Sequence, residues 1–293
     1  MSGGKAIALT ALLVLGASDA WAQSRVTGTV TDTTGAVVVG AKVTVHNLDT
    51  GIVTATASTA SGVYSVSLLE PGRYGISCEV PDFKKFVRTG ILLETGRTVT
   101  VNMELQVGDV AETVSVSASA PLLDAESGAA GQLIENKFIL SMPIQSRRSA
   151  ALVRMMGNIS FAREEGGQVI PSFSMAGGRS LNQMWYLDGG VSQSEGVLQP
   201  QVALNPPNEA LQEFKAIANN YAAEYGRSAG GVIVMTTRSG TNEFHGAMYE
   251  WLRNEKLNAR TFFDPGKAPL RFNIFGASLG GPVKRNRMFF FYN

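Results

Sequence analysis

The sequence predicts a mainly β protein: a small β-sandwich, then a mixed α+β unit, then the first strands of a membrane-spanning β-barrel. Three observations lead there. Short runs of alternating apolar and polar residues, broken by turn signals, recur from residue 25 to residue 106. Short mixed segments and glycine-rich loops fill residues 132–240. From residue 241 the alternation returns in longer strands with aromatic ends, the pattern of outer-membrane barrels.

The first residues have the three parts of a secretion signal. Lys5 supplies the positive charge, residues 6–17 form an apolar stretch, and Ala20-Trp21-Ala22 is an A-x-A cleavage site. The apolar stretch is shorter than the roughly 20 residues a membrane helix needs. Residues 1–22 are therefore expected to be a cleaved signal peptide. No later stretch suits a membrane helix, so a membrane-embedded mature chain would have to be a closed barrel. Charge is balanced, with 25 Lys and Arg against 24 Asp and Glu, which argues against a nucleic-acid partner. Charged residues make up 17%, below the roughly 25% of an ordinary soluble domain. The 32 glycines suit strands joined by tight turns. Cys78 is the single cysteine, which excludes an internal disulfide; its apolar surroundings make it a core residue. His46 and His245 are too few and too far apart for a zinc site.

In the first unit, residues 23–106, strands are expected over 25–30, 42–46, 52–56, 63–67, 74–78 and 98–101. Thr34-Gly35, Asp49-Thr50-Gly51, Ser61-Gly62 and Pro71-Gly72 supply the turns between them. Residues 107–131 read as a linker holding one extended segment: Glu112, Thr113, Val114, Ser115, Val116 and Ser117. An unpaired strand in a linker suits docking onto another protein's sheet edge. The plainer reading is a strand that closes the sandwich. In residues 132–240, short helices are expected over 136–142 and 149–156, and strands over 172–174, 184–188 and 232–236. Residues 208–217 have helical spacing, with Leu211, Phe214 and Ile217 on one face and Asn208 placed to cap the start. In residues 241–293, His245, Ala247, Tyr249 and Trp251 share one strand face, opposite Phe244, Gly246, Met248 and Glu250. A second strand covers 271–279, Gly280-Gly281-Pro282 is expected to open a turn over 280–286, and Phe289, Phe290, Phe291 and Tyr292 lie in a third strand. Tyr249 and Trp251 suit an interfacial aromatic girdle. Three strands cannot close a barrel, which needs at least about eight, so a longer protein is expected.

At this point the residues carry a resemblance to a family. Gly28-Thr-Val-Thr-Asp32, Gly40-Ala-Lys-Val-Thr-Val45, Gly62-Val-Tyr64 and Pro71-Gly-Arg-Tyr74 are similar to the carboxypeptidase regulatory-like domain, a transthyretin-like sandwich with a carbohydrate-binding-like fold. Val39 stands where a proline is common there, and Asp82 where a glycine precedes Phe83. Gly177-Gly-Arg-Ser180 and Trp185-Tyr-Leu-Asp-Gly189 resemble the core of TonB-dependent plug domains, with Met156-Gly157 in place of the usual Pro-Gly. The ordered set Asn219-Asn-Tyr221, Ala223-Glu-Tyr-Gly-Arg227, Thr237-Arg-Ser-Gly-Thr-Asn242, Phe244-His-Gly246, Asn258-Ala-Arg260 and Gly280-Gly-Pro282 resembles the plug-to-barrel junction of Oar-like TonB-dependent receptors.

The resemblance implies five parts: signal peptide 1–22, regulatory-like sandwich 23–106, linker 107–131, plug 132–240 and the start of a barrel 241–293. It implies passage of a substrate across the outer membrane of a Gram-negative bacterium, energised by TonB with ExbB and ExbD, and no chemistry on covalent bonds. The barrel would contact outer-membrane lipid. It supports 112–117 as the candidate TonB box. Arg179, Glu224 and Arg227 are expected to be plug charges paired with one another or with the barrel wall, and are the candidates for gating. No catalytic or metal residues and no cofactor are expected: Asp188-Gly189 reads as a turn, and Ser146, Ser149 and Ser180 lack a His/Asp pattern. The rival reading is a surface adhesion protein whose sandwich binds carbohydrate through Tyr64, Tyr74, Phe83 or Phe86.

Overall fold

The computed structural model describes residues 24–109, 113–117, 130–144, 146–161, 173–179, 182–195, 200–222, 225–260, 262–263 and 265–293. The signal peptide expected over 1–22 lies outside the described residues. The architecture is mainly β, in three successive groups of sheets.

The first group has nine strands. They are β1 (Ser24–Asp32), β2 (Lys42–Asn47), β3 (Val53–Ala57), β4 (Val63–Leu69), β5 (Gly72–Glu79), β6 (Lys85–Leu93), β7 (Thr98–Thr100), β8 (Met103–Leu105) and β9 (Thr113–Ser117). One sheet runs β4-β1-β7, with β8 also on β1; the other runs β3-β2-β5-β6-β9. Alternation turns every second residue inward, so Val26, Val30, Tyr64, Val66, Val99 and Val101 of one sheet meet Val43, Val45, Ile76, Cys78, Ile91 and Leu93 of the other. The Gly28 motif now has a cause. Its backbone lies against Val101 where the chain passes from β7 to β8, and a Cβ there would overlap the Val101 carbonyl oxygen. The Tyr64 hydroxyl donates to that same oxygen at 2.6 Å. Asp32 holds the first turn by accepting from the Thr34 and Ala36 backbone N–H groups. Asp82 has φ +67°, a left-handed conformation that accounts for glycine in the family resembled.

In the middle group β10 (Ala130–Glu135) leads into helix α1 (Asn136–Ser141) and a 3-10 turn, Ser149–Met155. The hairpin β11 (Ile159–Phe161) and β12 (Phe173–Met175) follows, then β13 (Met184–Leu187), β14 (Gly190–Val191), β15 (Gln193–Glu195), β16 (Pro200–Val202), β17 (Leu211–Asn219) and β18 (Val232–Thr237). The main sheet runs β10-β17-β18-β13-β14. Its two central strands are buried on both faces. Leu211, Phe214, Ala216, Ile233 and Met235 pack under α1 and the 3-10 turn, with Ile139, Leu152 and Trp185. Ile217, Val232 and Val234 face the other way, with Tyr186 and Tyr225.

The helix expected over 208–217 is therefore a strand. Only Asn208–Ala210 is helical, as a single 3-10 turn following Pro207, and Asn208 is fully buried inside it instead of capping a helix. A bulge between Leu211 and Glu213 shifts the pleat by one residue, so Leu211 and Phe214 reach the same face from three positions apart. Burial of both faces added Ile217, and the sum imitated a helical period. In contrast, Asp188 and Gly189 form the turn expected of them: both have positive φ, +49° and +82°, the requirement of a type I′ hairpin turn.

The last group is the antiparallel sheet β19 (His245–Asn254), β20 (Arg271–Lys284) and β21 (Met288–Tyr292). The turn expected at Gly280 lies later, over 285–287, because β20 continues through Gly280-Gly281-Pro282. Those glycines make room instead of breaking the strand: a Cβ on Gly281 would overlap the Phe244 ring, and one on Gly280 would crowd Phe291 at 3.0 Å. Pro282 sits at a bulge, one of the few ladder positions proline tolerates.

Candidate docking strand and junction site

The segment singled out as a docking strand is not unpaired. Residues Thr113–Ser117 form β9, a parallel partner of β6 in the register Lys85↔Thr113, Phe86↔Val114, Val87↔Ser115, Arg88↔Val116 and Thr89↔Ser117. Glu112 lies outside the described residues. β9 is the outermost strand of its sheet, with β6 on one side and no neighbour on the other among the described residues. The pattern Thr-Val-Ser-Val-Ser carries no charge and no proline, so nothing in it opposes pairing.

Behind that sheet the three groups meet. The loop between β6 and β7 inserts Thr95 against the middle sheet, where its backbone N–H and hydroxyl donate to the Glu213 carboxylate at 2.7 and 2.6 Å. Lys215 donates to the Thr95 carbonyl at 3.1 Å. The bulge in β17 turns Glu213 and Lys215 toward the sandwich, on the face opposite Phe214. Burial pushes the Glu213 pKa up, partly countered by the Thr95 hydrogen bonds. Beside this contact lies a cleft of about 500 Å³ lined from all three groups, including Asp49, Glu70, Asp188, Arg238, His245 and Phe291. Asp188 accepts from the Thr237 N–H at 2.7 Å and hydroxyl at 2.8 Å, a structural brace between β13 and β18. Burial lowers the Arg238 pKa; its guanidinium lies 5.1 Å from the Phe291 ring centre. At the rim, Asn242 donates to the Thr50 carbonyl at 2.5 Å and to Asn286 at 2.7 Å, tying a sandwich turn to the last sheet.

A second contact joins the middle group to β19. Arg147 and Glu209 form a buried ion pair, with side chains only 3% and 7% exposed. The guanidinium lies 3.9 Å from the Trp251 ring centre, and the indole N–H donates to Glu209 at 3.1 Å. Trp251, expected in an outward aromatic girdle, therefore faces the middle group. Tyr249 shares that face, opposite Gly276 of β20. The other face shows Met248, Leu252, Phe275 and Leu279, all exposed. Neither Arg147 nor Glu209 was readable as a site residue: they stand 62 positions apart, and no local pattern links them.

Of the expected plug charges, Glu224 lies outside the described residues. Arg179 and Arg227 are exposed, on two loops that meet where Gly178 approaches Gly230. Arg227 has φ +59°. The aromatic residues named for a sugar platform belong to the sandwich core: Tyr64, Tyr74 and Phe86 are buried and Phe83 packs against them. Cys78 is buried too, and burial pushes its thiol up to about 11. No group of three or more metal-binding side chains occurs among the described residues.

Two families match this chain. The carboxypeptidase regulatory-like domain matches residues 25–106, and the outer membrane beta barrel domain matches residues 236–293. With the relative described next, they support localisation to the Gram-negative outer membrane. The TonB-dependent transporter Oar of Myxococcus xanthus is 29% identical over 250 residues, covering 79% of this chain and 22% of the relative. This chain is a homologue of that transporter, and it spans about a fifth of the relative's length. Among solved structures, the siderophore receptor PirA from Acinetobacter baumannii is 21% identical, with a TM-score of 0.40 over 53% of this chain and 22% of that one. A putative carbohydrate binding protein from Bacteroides uniformis is 17% identical, with a TM-score of 0.25 over 28% of this chain and 40% of that one.

Proposed function

We propose that this chain forms the front of a TonB-dependent transporter in which residues 132–240 are the plug, residues 241–293 begin the barrel wall, and residues 112–117 are the TonB box. The observation that carries this reading is the Arg147–Glu209–Trp251 contact, which seats the middle group on one face of β19 and β20 while an apolar face is left on the other side. A plug inside a barrel requires that polarity, polar and packed within, apolar toward lipid. TonB, driven through ExbB and ExbD by the inner-membrane proton gradient, would pull on the box and rearrange the plug. Substrate would then pass without any covalent step. Arg179, Glu224 and Arg227 are the plug charges assigned to gating. The test is binding of purified soluble TonB to the chain with and without residues 112–117. Loss of binding in the deletion is expected; unchanged binding sinks the box assignment.

A further inference from the structure

We infer that the edge of β6 that pairs with β9 is a storage site for the TonB box, so that the sandwich and TonB compete for one strand; this rests on reading 112–117 as that box. The parallel β6–β9 ladder spans five residue pairs and makes β9 the fifth strand of the sandwich's larger sheet. A strand binds a protein partner by offering its backbone N–H and C=O groups to that partner's sheet edge. In β9 the edge that faces β6 is already committed. A partner that needs that edge has to displace the sandwich.

The site is built to accept a strand reversibly. β6 carries a positive-φ glycine, Gly90 at +79°, in its interior, and its pairing with β5 shifts register there, between Tyr74 and Ile76. Regular pairing for β9 is thereby limited to the run 85–89 ahead of the glycine. Parallel ladders are slightly weaker per residue than antiparallel ones. Without β9, β6 would present an open edge, a position that proteins usually cover. The sandwich would therefore regulate when TonB engages, and release of β9 would precede transport.

Disulfide trapping in the full chain tests this. The native thiol of Cys78 is buried and stays silent. The in-register pair Val87→Cys with Ser115→Cys should cross-link on mild oxidation, whereas Val87→Cys with Val114→Cys, on opposite faces of the ladder, should not. The oxidised in-register chain should bind soluble TonB at least tenfold more weakly, and reductant should restore binding. Failure of the in-register pair to cross-link, or equal cross-linking by both pairs, overturns the storage site. A cross-linked chain that still binds TonB normally overturns the competition and puts the partner on the outer edge of β9. Deletion of 113–117 separates the two ideas: unchanged TonB binding there defeats the box reading, while the cross-link still reports where β9 lies.

Discussion

Replacing Arg147 by methionine keeps much of the side-chain volume but leaves the Glu209 carboxylate without its cation. Glu209 is 5% exposed, and its Oε2 atom already lacks a hydrogen-bond partner. Removing one member of a buried pair costs about 3–5 kcal/mol, against about 0–1 kcal/mol for an exposed pair. At a urea slope of about 3 kcal/mol per molar, the lower figure moves the unfolding midpoint by about 1 M. The double variant Arg147→Met with Glu209→Gln should recover about 2 kcal/mol of that loss, because the amide carries no charge and still accepts from the Trp251 indole. Intrinsic fluorescence in urea is a suitable assay, since Trp251 stacks on Arg147 and Trp185 reports the middle core. A single-variant cost below about 1 kcal/mol would refute the buried-pair argument. Additive costs in the double variant would refute the coupling.

Glu213→Gln should stabilise the chain relative to the parent increasingly as pH rises. The Glu213 pKa is raised in the folded state by burial, so its contribution is full below the unfolded value of 4.5 and is lost as pH rises through the folded value. Urea midpoints of both proteins between pH 4 and pH 8 read the sign directly; a difference that shrinks with pH contradicts it. Gly28→Ala should cost about 1–3 kcal/mol, because its Cβ overlaps the Val101 carbonyl, which the backbone holds in place; thermal melting of the variant measures this. Cys78 should resist a thiol reagent at pH 8 in the folded chain and react fully in urea, since burial both blocks access and raises its pKa to about 11. Rapid labelling of the folded chain would place Cys78 outside the core.

Where the sequence could be read, one face was wet and the other dry. β1, β2 and β4 alternate over most of their length, and each was legible from its own residues. β6 was missed because Lys85, Arg88 and Thr89 interrupt its apolar residues and Gly90 breaks its regularity. β17 was misread because a bulge and two dry faces imitate a helix, and its register is set by its neighbours β18 and β10, the latter far away in sequence. The same limit applies to the sites. Asp188-Gly189 announces its turn locally, since few dipeptides tolerate two positive φ values. The Arg147–Glu209–Trp251 and Thr95–Glu213 contacts are made only by folding, and nothing near any of those residues in the chain predicts its partner.

The docking strand shows how a locally readable segment can still be misplaced. Its residues announce a strand, but a strand's partner is chosen by whichever edge is within reach. Fixing the backbone of one residue costs about 1–2 kcal/mol, and one net backbone hydrogen bond returns about 0.5–1.5 kcal/mol. A five-residue parallel ladder therefore sits near balance. Near balance, occupancy depends on the effective concentration of the competing edges. β6 belongs to the same chain as β9, tethered through β7 and β8, and has a built-in advantage at rest. A separate protein gains the strand only by pairing with it more strongly, or by arriving once the sandwich has moved. Under the function proposed above, a linker strand that closes the sandwich and a strand that recruits a partner would be two states of one segment.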